Sequence, residues 1–120
     1  MASTFRDLRV WQEAMALTSQ VYRTTAEFPK SETYGLAQQM RRAAVSVPSN
    51  IAEGKGHRSN KEFMHFLFHA RGSLWELQTQ ILVAEELQYV SKQRGSELLS
   101  AAENISRALN GLIGSIGAAV

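Results

Sequence analysis

The sequence predicts an all-α protein folded as an antiparallel up-down-up-down four-helix bundle. Apolar residues recur at helical spacing through nearly the whole chain, and runs of β-branched residues are absent. Turn signals divide the chain into four amphipathic segments, which we place at about residues 7–27, 33–53, 60–88 and 92–116. The chain has 120 residues with no linker-like tract and no internal repeat, so we expect one domain spanning residues 1–120.

The first helix is expected to begin near Asp7, whose carboxylate can cap an N-terminus, and to end before Pro29. Its core face is predicted from the residues that alternate at three- and four-residue spacing, which are Leu8, Trp11, Met15, Thr18 and Tyr22. On this assignment Val10, Leu17 and Val21 lie on the outer face of the helix.

The second helix carries a proline inside its apolar pattern. The pattern keeps its phase beyond Pro48, which predicts a kink and not a break, and Gly54 is expected to stop the helix. Ser46, Pro48 and Asn50 are interpreted as structural residues, with Asn50 placed to satisfy a carbonyl that the proline leaves free. The predicted core face consists of Leu36, Met40, Ala43, Val47 and Ile51.

The third and fourth helices have clear apolar faces. The third opens with a capping box from Ser59 to Glu62 directly before an apolar run. The fourth ends with Gly111, Gly114 and Gly117, which either fray its end or permit close contact with another helix. The predicted core residues are Phe63, Leu67, Ala70, Leu74, Leu77, Ile81 and Ala84 in the third helix and Leu98, Ala101, Ile105, Leu109, Leu112 and Ile116 in the fourth.

A second apolar stripe runs along the third helix, away from its predicted core face. Its members are Met64, Phe68, Trp75 and Leu82. Aligned apolar residues that include Phe and Trp indicate a contact surface. Together with Val10, Leu17 and Val21 of the first helix, this stripe predicts a homo-oligomer, although wide helices that bury more than one stripe are the alternative.

Composition and motifs argue against an enzyme. The chain has no cysteine, which excludes thiol nucleophiles and disulfides, and no nucleophile–base–orienter set can be assembled from the spacing. No signal-peptide run and no membrane-length apolar run is present, so we expect a cytoplasmic protein without membrane contact and without a cofactor. His65 and His69 share one helix face, but the pattern HFLFH lacks the glutamate of a zinc-protease motif, and we expect no metal site.

Excess positive charge is concentrated in the middle of the chain. The net charge is only +2, but residues 41–61 contain five basic side chains against the single acid Glu53. These basic residues are candidates for contact with the backbone of RNA or DNA, and they are Arg41, Arg42, Lys55, Arg58 and Lys61. A structural role for Arg41, paired with Glu76 or Glu53, is an equally weighted alternative.

The motifs RRAAVSVPSNIAEG, from Arg41 to Gly54, and ARGSLWEL, from Ala70 to Leu77, resemble a known family, and the similarity extends over about residues 5–116. The family comprises small bacterial four-helix-bundle proteins encoded in intervening sequences of 23S ribosomal RNA genes. The accessory protein of diversity-generating retroelements looks like a relative. The resemblance implies a homopentameric barrel without known enzymatic activity, and relatives from retroelements bind nucleic acid and contact a reverse transcriptase.

Two functional hypotheses follow. The first is a non-enzymatic homopentamer that binds RNA or DNA through its basic residues, with affinity that falls steeply as salt rises. The second is a scaffold that binds a protein partner through exposed helix faces and has no affinity for nucleic acid.

Overall fold

A computed structural model describes residues 4–119 and confirms the all-α four-helix bundle. Within this range the chain forms helices α1 (Arg9–Thr25), α2 (Leu36–Lys55), α3 (Asn60–Glu86) and α4 (Lys92–Ala119), with no strand. Short 3-10 turns at Phe5–Asp7 and Lys30–Glu32 precede α1 and α2. In the described part of the chain, no helix is both long and apolar enough to cross a bilayer.

The four helices pack side by side in chain order. α2 and α4 each lie between α1 and α3, and the bundle measures 45 × 22 × 21 Å. Because consecutive helices run in opposite directions, the α1–α2 and α3–α4 connections meet at one end of the long axis. The α2–α3 connection lies at the other end.

The assignment of faces on α1 was wrong. Val10, Leu17 and Val21 are buried in the core of the chain itself, with exposed fractions of 7%, 2% and 0%, whereas Met15 and Tyr22 are each 43% exposed. Both stripes have helical spacing, so periodicity alone does not distinguish them. The smaller side chains face the neighbouring helices because they allow closer packing, and the large rings remain at the rim.

Helix α2 continues through Pro48, and a neighbouring helix compensates for the missing hydrogen bond. Proline has no N–H, so the carbonyl of Ala44, four residues earlier, loses its helical donor. The Thr18 hydroxyl of α1 lies 3.1 Å from that carbonyl oxygen and 2.8 Å from the carbonyl of Ala14, and its one proton serves both. Asn50 Nδ2 does donate to a helix carbonyl, but to that of Ser46, at 2.8 Å.

Gly54 does not stop α2, contrary to the prediction. The helix extends to Lys55, and Gly54 is buried against α3. A Cβ atom at this position would lie 2.7 Å from Cβ of Phe66 and 2.9 Å from Cδ1 of Phe63. The glycine is therefore required for the close approach of α2 to α3, which Ser46 Oγ and Ser73 Oγ also bridge at 2.8 Å.

The helix ends show one confirmed cap and two differences from prediction. Ser59 caps α3 by accepting a hydrogen bond from the Glu62 N–H at 3.0 Å. Asp7 instead closes the preceding 3-10 turn by accepting from the Thr4 N–H, and α1 begins without a side-chain cap. Helix α4 does not fray at its glycines, and a Cβ at Gly111 or Gly114 would meet nothing within 4 Å among the described residues.

Candidate functional site

The five candidate basic residues do not form one surface. Arg41 and Arg42 lie near the beginning of α2, and Lys55, Arg58 and Lys61 lie around the α2–α3 connection. Arg42 and Lys55 are 13 positions apart on one helix, which is about 20 Å along its axis at the usual rise per residue. Basic residues that are neighbours in the charge pattern are thus separated by about two thirds of the length of α2.

Arg41 is committed to the fold. Its Nε donates to Thr25 Oγ1 at 2.8 Å, its Nη2 donates to the Tyr22 carbonyl at 3.2 Å, and its guanidinium lies 4.7 Å from the centre of the Tyr22 ring. The partner is the C-terminal turn of α1, whose carbonyls form the negative end of the helix dipole and attract a cation, so the predicted pairing with Glu76 or Glu53 was wrong. Arg42, its neighbour, is exposed and shares a shallow groove with Glu76 of α3.

The basic tip, as we name Lys55, Arg58 and Lys61, is formed by the end of α2 and the first turn of α3. Arg58 and Lys61 are exposed, and Lys55 Nζ lies 6.0 Å from the centre of the Phe63 ring. The contacts between a basic side chain and a carboxylate among the described residues are Arg9–Glu13, His57–Glu62 and Arg94–Glu97. The cations of the tip therefore have no carboxylate partner there.

A histidine and an aromatic ring fix the loop that carries the tip. His57 Nδ1 lies 2.7 Å from the Glu62 carboxylate, and the imidazole stacks on Phe66 with ring centres 5.0 Å apart. Glu62 also belongs to the cap of α3. The one carboxylate at the start of α3 is thereby occupied by His57, which leaves Arg58 and Lys61 available to an external anion.

The α3 stripe, Phe68, Trp75 and Leu82, is exposed as predicted. The exposed fractions are 43%, 52% and 53%, and the three residues repeat every seven positions. Arg71 packs between the two rings, 5.0 Å from the centre of Phe68 and 4.9 Å from that of Trp75. Met64, the fourth predicted member, is partly buried against the core. A row of exposed apolar residues along one side of a helix is typical of a contact surface.

A second apolar surface lies between α1 and α2, away from the stripe. Trp11 and Met15 of α1 and Val45 and Pro48 of α2 line a groove of about 340 Å³. Met15 and Val45 are 43% and 39% exposed. Sequence reasoning missed this groove because it assigned Trp11 and Met15 to the core.

Side chains at the opposite end of the bundle form what we call the linked end, residues 22–41 together with residues 86–94. Tyr89 Oη donates to the Glu32 carboxylate at 2.9 Å, and the Leu36 N–H donates to the same carboxylate at 2.9 Å. Arg94 Nε donates to Thr24 Oγ1 at 3.1 Å. These bonds join both connections and the ends of α1 and α4.

Glu32 and Tyr89 affect each other's titration. The Leu36 N–H and the Tyr89 hydroxyl stabilise the carboxylate, in that order of effect, and lower the pKa of Glu32 from its ordinary value of 4.5. The same hydrogen bond, with the loss of hydration and the charge of Glu32, raises the pKa of Tyr89 above 10.0.

His65 and His69 meet on the exposed side of α3. Their Nε2 atoms are 3.2 Å apart, and the rings are edge to face with centres 4.6 Å apart. Among the described residues, no group of three or more metal-ligating side chains converges. The nearest groove contains the two histidines together with Ser73 and Glu76.

The fold and these surfaces define a class: a small helical bundle with exposed apolar faces and a cationic end. The family model for 23S rRNA-intervening sequence proteins matches residues 6–111. The chain therefore belongs to the 23S rRNA-intervening sequence protein family.

One solved structure supports the fold. It is the crystal structure of a protein with unknown function from the S23 ribosomal protein family of Bacteroides thetaiotaomicron, which aligns with a TM-score of 0.79 at 16% identity. The alignment covers 87% of this chain and 97% of that one. No curated protein is similar enough to match the chain.

Proposed function

We propose that this protein is a non-enzymatic oligomer that binds the phosphate backbone of RNA or DNA through its basic tip. The observation that carries the proposal is the exposure of Arg58 and Lys61 without carboxylate partners among the described residues, beside the N-terminus of α3. Cations at that place add to the positive end of the helix dipole and favour an anion. Backbone contact fits better than base stacking, because the exposed aromatic rings, which are Tyr22, Tyr34, Phe68 and Trp75, are not part of the tip.

Assembly is supported by two unlike apolar surfaces on one chain. The α3 stripe of one copy can pack into the α1–α2 groove of the next copy. A contact between two different surfaces generates a ring when the rotation closes, and a homopentamer is the ring that the family resemblance implies. Each added copy contributes another basic tip, so the ring multiplies weak contacts with one polyanion.

Binding is tested by fluorescence anisotropy of labelled structured RNA and labelled duplex DNA at several salt concentrations. We expect affinity that falls steeply with salt, and a shallower salt dependence in the double variant Arg58→Glu, Lys61→Glu, by about one unit of log–log slope for each lost phosphate contact. The matched control is Lys30→Glu, Lys92→Glu, which makes the same charge change at exposed positions of the linked end. Wild-type protein that does not bind at low salt, or two double variants that behave alike, would contradict the proposal.

Assembly is tested by light scattering. We expect a mass of about five times the 13.3 kDa of one chain. Trp75→Glu is expected to reduce that mass, because it places a charge in the stripe, and Ser100→Glu on the exposed side of α4 serves as the control. A monomeric wild type, or equal masses for wild type and Trp75→Glu, would count against the ring.

A protein-binding scaffold is the second candidate, and the exposed stripe favours it. If the wild type is monomeric and does not bind nucleic acid, the stripe remains an unoccupied surface of helix-pairing type. A protein recovered with the wild type and lost with Trp75→Glu but not with Ser100→Glu would then support the scaffold.

A further inference from the structure

We propose that His65 and His69 form a two-histidine binding site for a divalent transition metal, Cu²⁺, Ni²⁺ or Zn²⁺. The site contains no residue of the basic tip, it adjoins Phe68 of the α3 stripe, and it does not depend on nucleic-acid binding. Its basis is the arrangement of two imidazoles one turn apart on the same exposed side of α3.

The distance between the two ligand atoms fits a shared ion. Metal–imidazole bonds of about 2.0–2.1 Å separate two nitrogens by about 2.9 Å at a right angle and by about 3.4 Å at a tetrahedral angle. The Nε2 atoms of His65 and His69 are 3.2 Å apart, which lies between these limits. An ion on the line bisecting the pair can therefore lie within bonding distance of both nitrogens.

The positions of the imidazole protons also permit binding. Without metal, one Nε2–H donates to the other Nε2, which acts as the acceptor. With metal, both Nε2 lone pairs point at the ion and each neutral ring carries its proton on Nδ1. The change is a shift of tautomer in one ring.

The remaining coordination positions face solvent. Glu62, on the preceding turn, is occupied by His57 at 2.7 Å. Glu76 lines the same groove, but it lies seven residues beyond His69, about 10 Å along the helix axis, too far to share the ion. Two protein ligands on a preformed helix with open positions favour Cu²⁺ over Ni²⁺ and Zn²⁺, following the usual affinity order.

The test uses untagged, chelator-treated full-length protein titrated with CuCl₂, NiCl₂ or ZnCl₂ in isothermal calorimetry, with thermal unfolding measured in parallel. We expect one ion per chain and a higher Tm in the presence of metal, because the ion binds the folded helix. His65→Gln and His69→Gln are each expected to weaken binding by a factor on the order of 100. Each variant leaves a single imidazole, so the gain from two ligands held on one helix is lost. His57→Gln, which removes the remaining histidine and releases Glu62, is the control and should not weaken binding.

The outcomes separate clearly. Both ligand positions are exposed, so the Gln variants should retain wild-type circular dichroism, and this is checked first. Binding that requires both His65 and His69 and tolerates His57→Gln supports the site. No binding by the wild type, wild-type affinity in the double variant His65→Gln, His69→Gln, or an equal loss in His57→Gln would overturn it.

Discussion

The linked end and the basic tip of the bundle differ in what their charged side chains contact. At the linked end, Glu32 accepts two hydrogen bonds and Arg41 donates to both a side chain and a carbonyl of α1. At the basic tip, Arg58 and Lys61 are exposed and have no carboxylate partner in the described part of the chain. Charge stabilises the fold at one end and remains available at the other.

This difference shows that basic residues clustered in the sequence do not necessarily form one anion-binding surface. Arg41 and Arg42 are consecutive, but the first holds α1 to α2 and the second is exposed. Counting Arg41 with the tip overstates the cationic surface, because its guanidinium already donates hydrogen bonds within the fold and has fewer donors left for a ligand. Arg42 and the tip are the parts of the excess that remain outside such structural hydrogen bonds.

The largest expected effect is at Gly54, in the packing beneath the tip. Gly54→Val is expected to destabilise the protein by about 2–3 kcal/mol, because the new side chain would overlap Phe66 and Phe63. Gly72→Val is the matched control, since a Cβ there meets nothing within 4 Å among the described residues, and its effect should be within about 0.5 kcal/mol. Urea unfolding measures both, and equal effects would refute a close approach at Gly54.

A smaller loss is expected at the linked end from Arg41→Met. The variant loses the hydrogen bonds to Thr25 and to the Tyr22 carbonyl, and we expect about 1–2 kcal/mol lower stability. Arg42→Met should change stability by less than about 0.5 kcal/mol. If the two variants unfold at the same denaturant concentration, Arg41 does not have the structural role assigned to it.

The smallest effect, and the most selective, is the pH dependence of the linked end. The pKa of Glu32 is lowered in the folded protein, so its contribution is present above 4.5 and is lost as pH falls through the folded pKa. The pKa of Tyr89 is raised, so its contribution is present below 10.0 and is lost as pH rises through the folded pKa.

Tyr89→Phe should therefore remove the loss of stability that Tyr89 causes at alkaline pH. It should only reduce the loss at acid pH, because the Leu36 N–H still stabilises the Glu32 carboxylate. Glu32→Gln should flatten the pH dependence on both sides, because it removes the carboxylate that shifts Tyr89. Urea unfolding across the pH range measures the change. Tyr89→Phe with a wild-type alkaline profile would show that the Tyr89–Glu32 bond does not contribute to stability.

The number of helices, their order and the cap at Ser59 could be predicted because these features depend on local sequence. The core face of α1 could not, because Leu17 and Met15 belong to two stripes with equally good helical spacing. The stripe that faces inward is the one whose side chains pack better against α2 and α4. The sequence of α1 alone does not contain that information.

The candidate site was predictable only in part for a similar reason. Arg58 and Lys61 follow from charge and from their place at a connection, whereas the separation from Arg42 depends on the uninterrupted length of α2. The bond from Tyr89 to Glu32 spans 57 positions of sequence, and no local pattern marks it. The α1–α2 groove was not predicted because Met15, which lines it, was assigned to the core face of α1.

The hydrogen bond from Thr18 to the Ala44 carbonyl has a consequence for how the molecule folds. Pro48 divides α2 into two stretches, 36–47 and 49–55, each too short to be stable as an isolated helix in water. The carbonyl that the proline leaves free acquires its donor only when α1 has docked. The complete α2 helix is therefore a product of the α1–α2 hairpin, and the two helices are expected to form as one cooperative unit, with neither serving as a preformed template for the other.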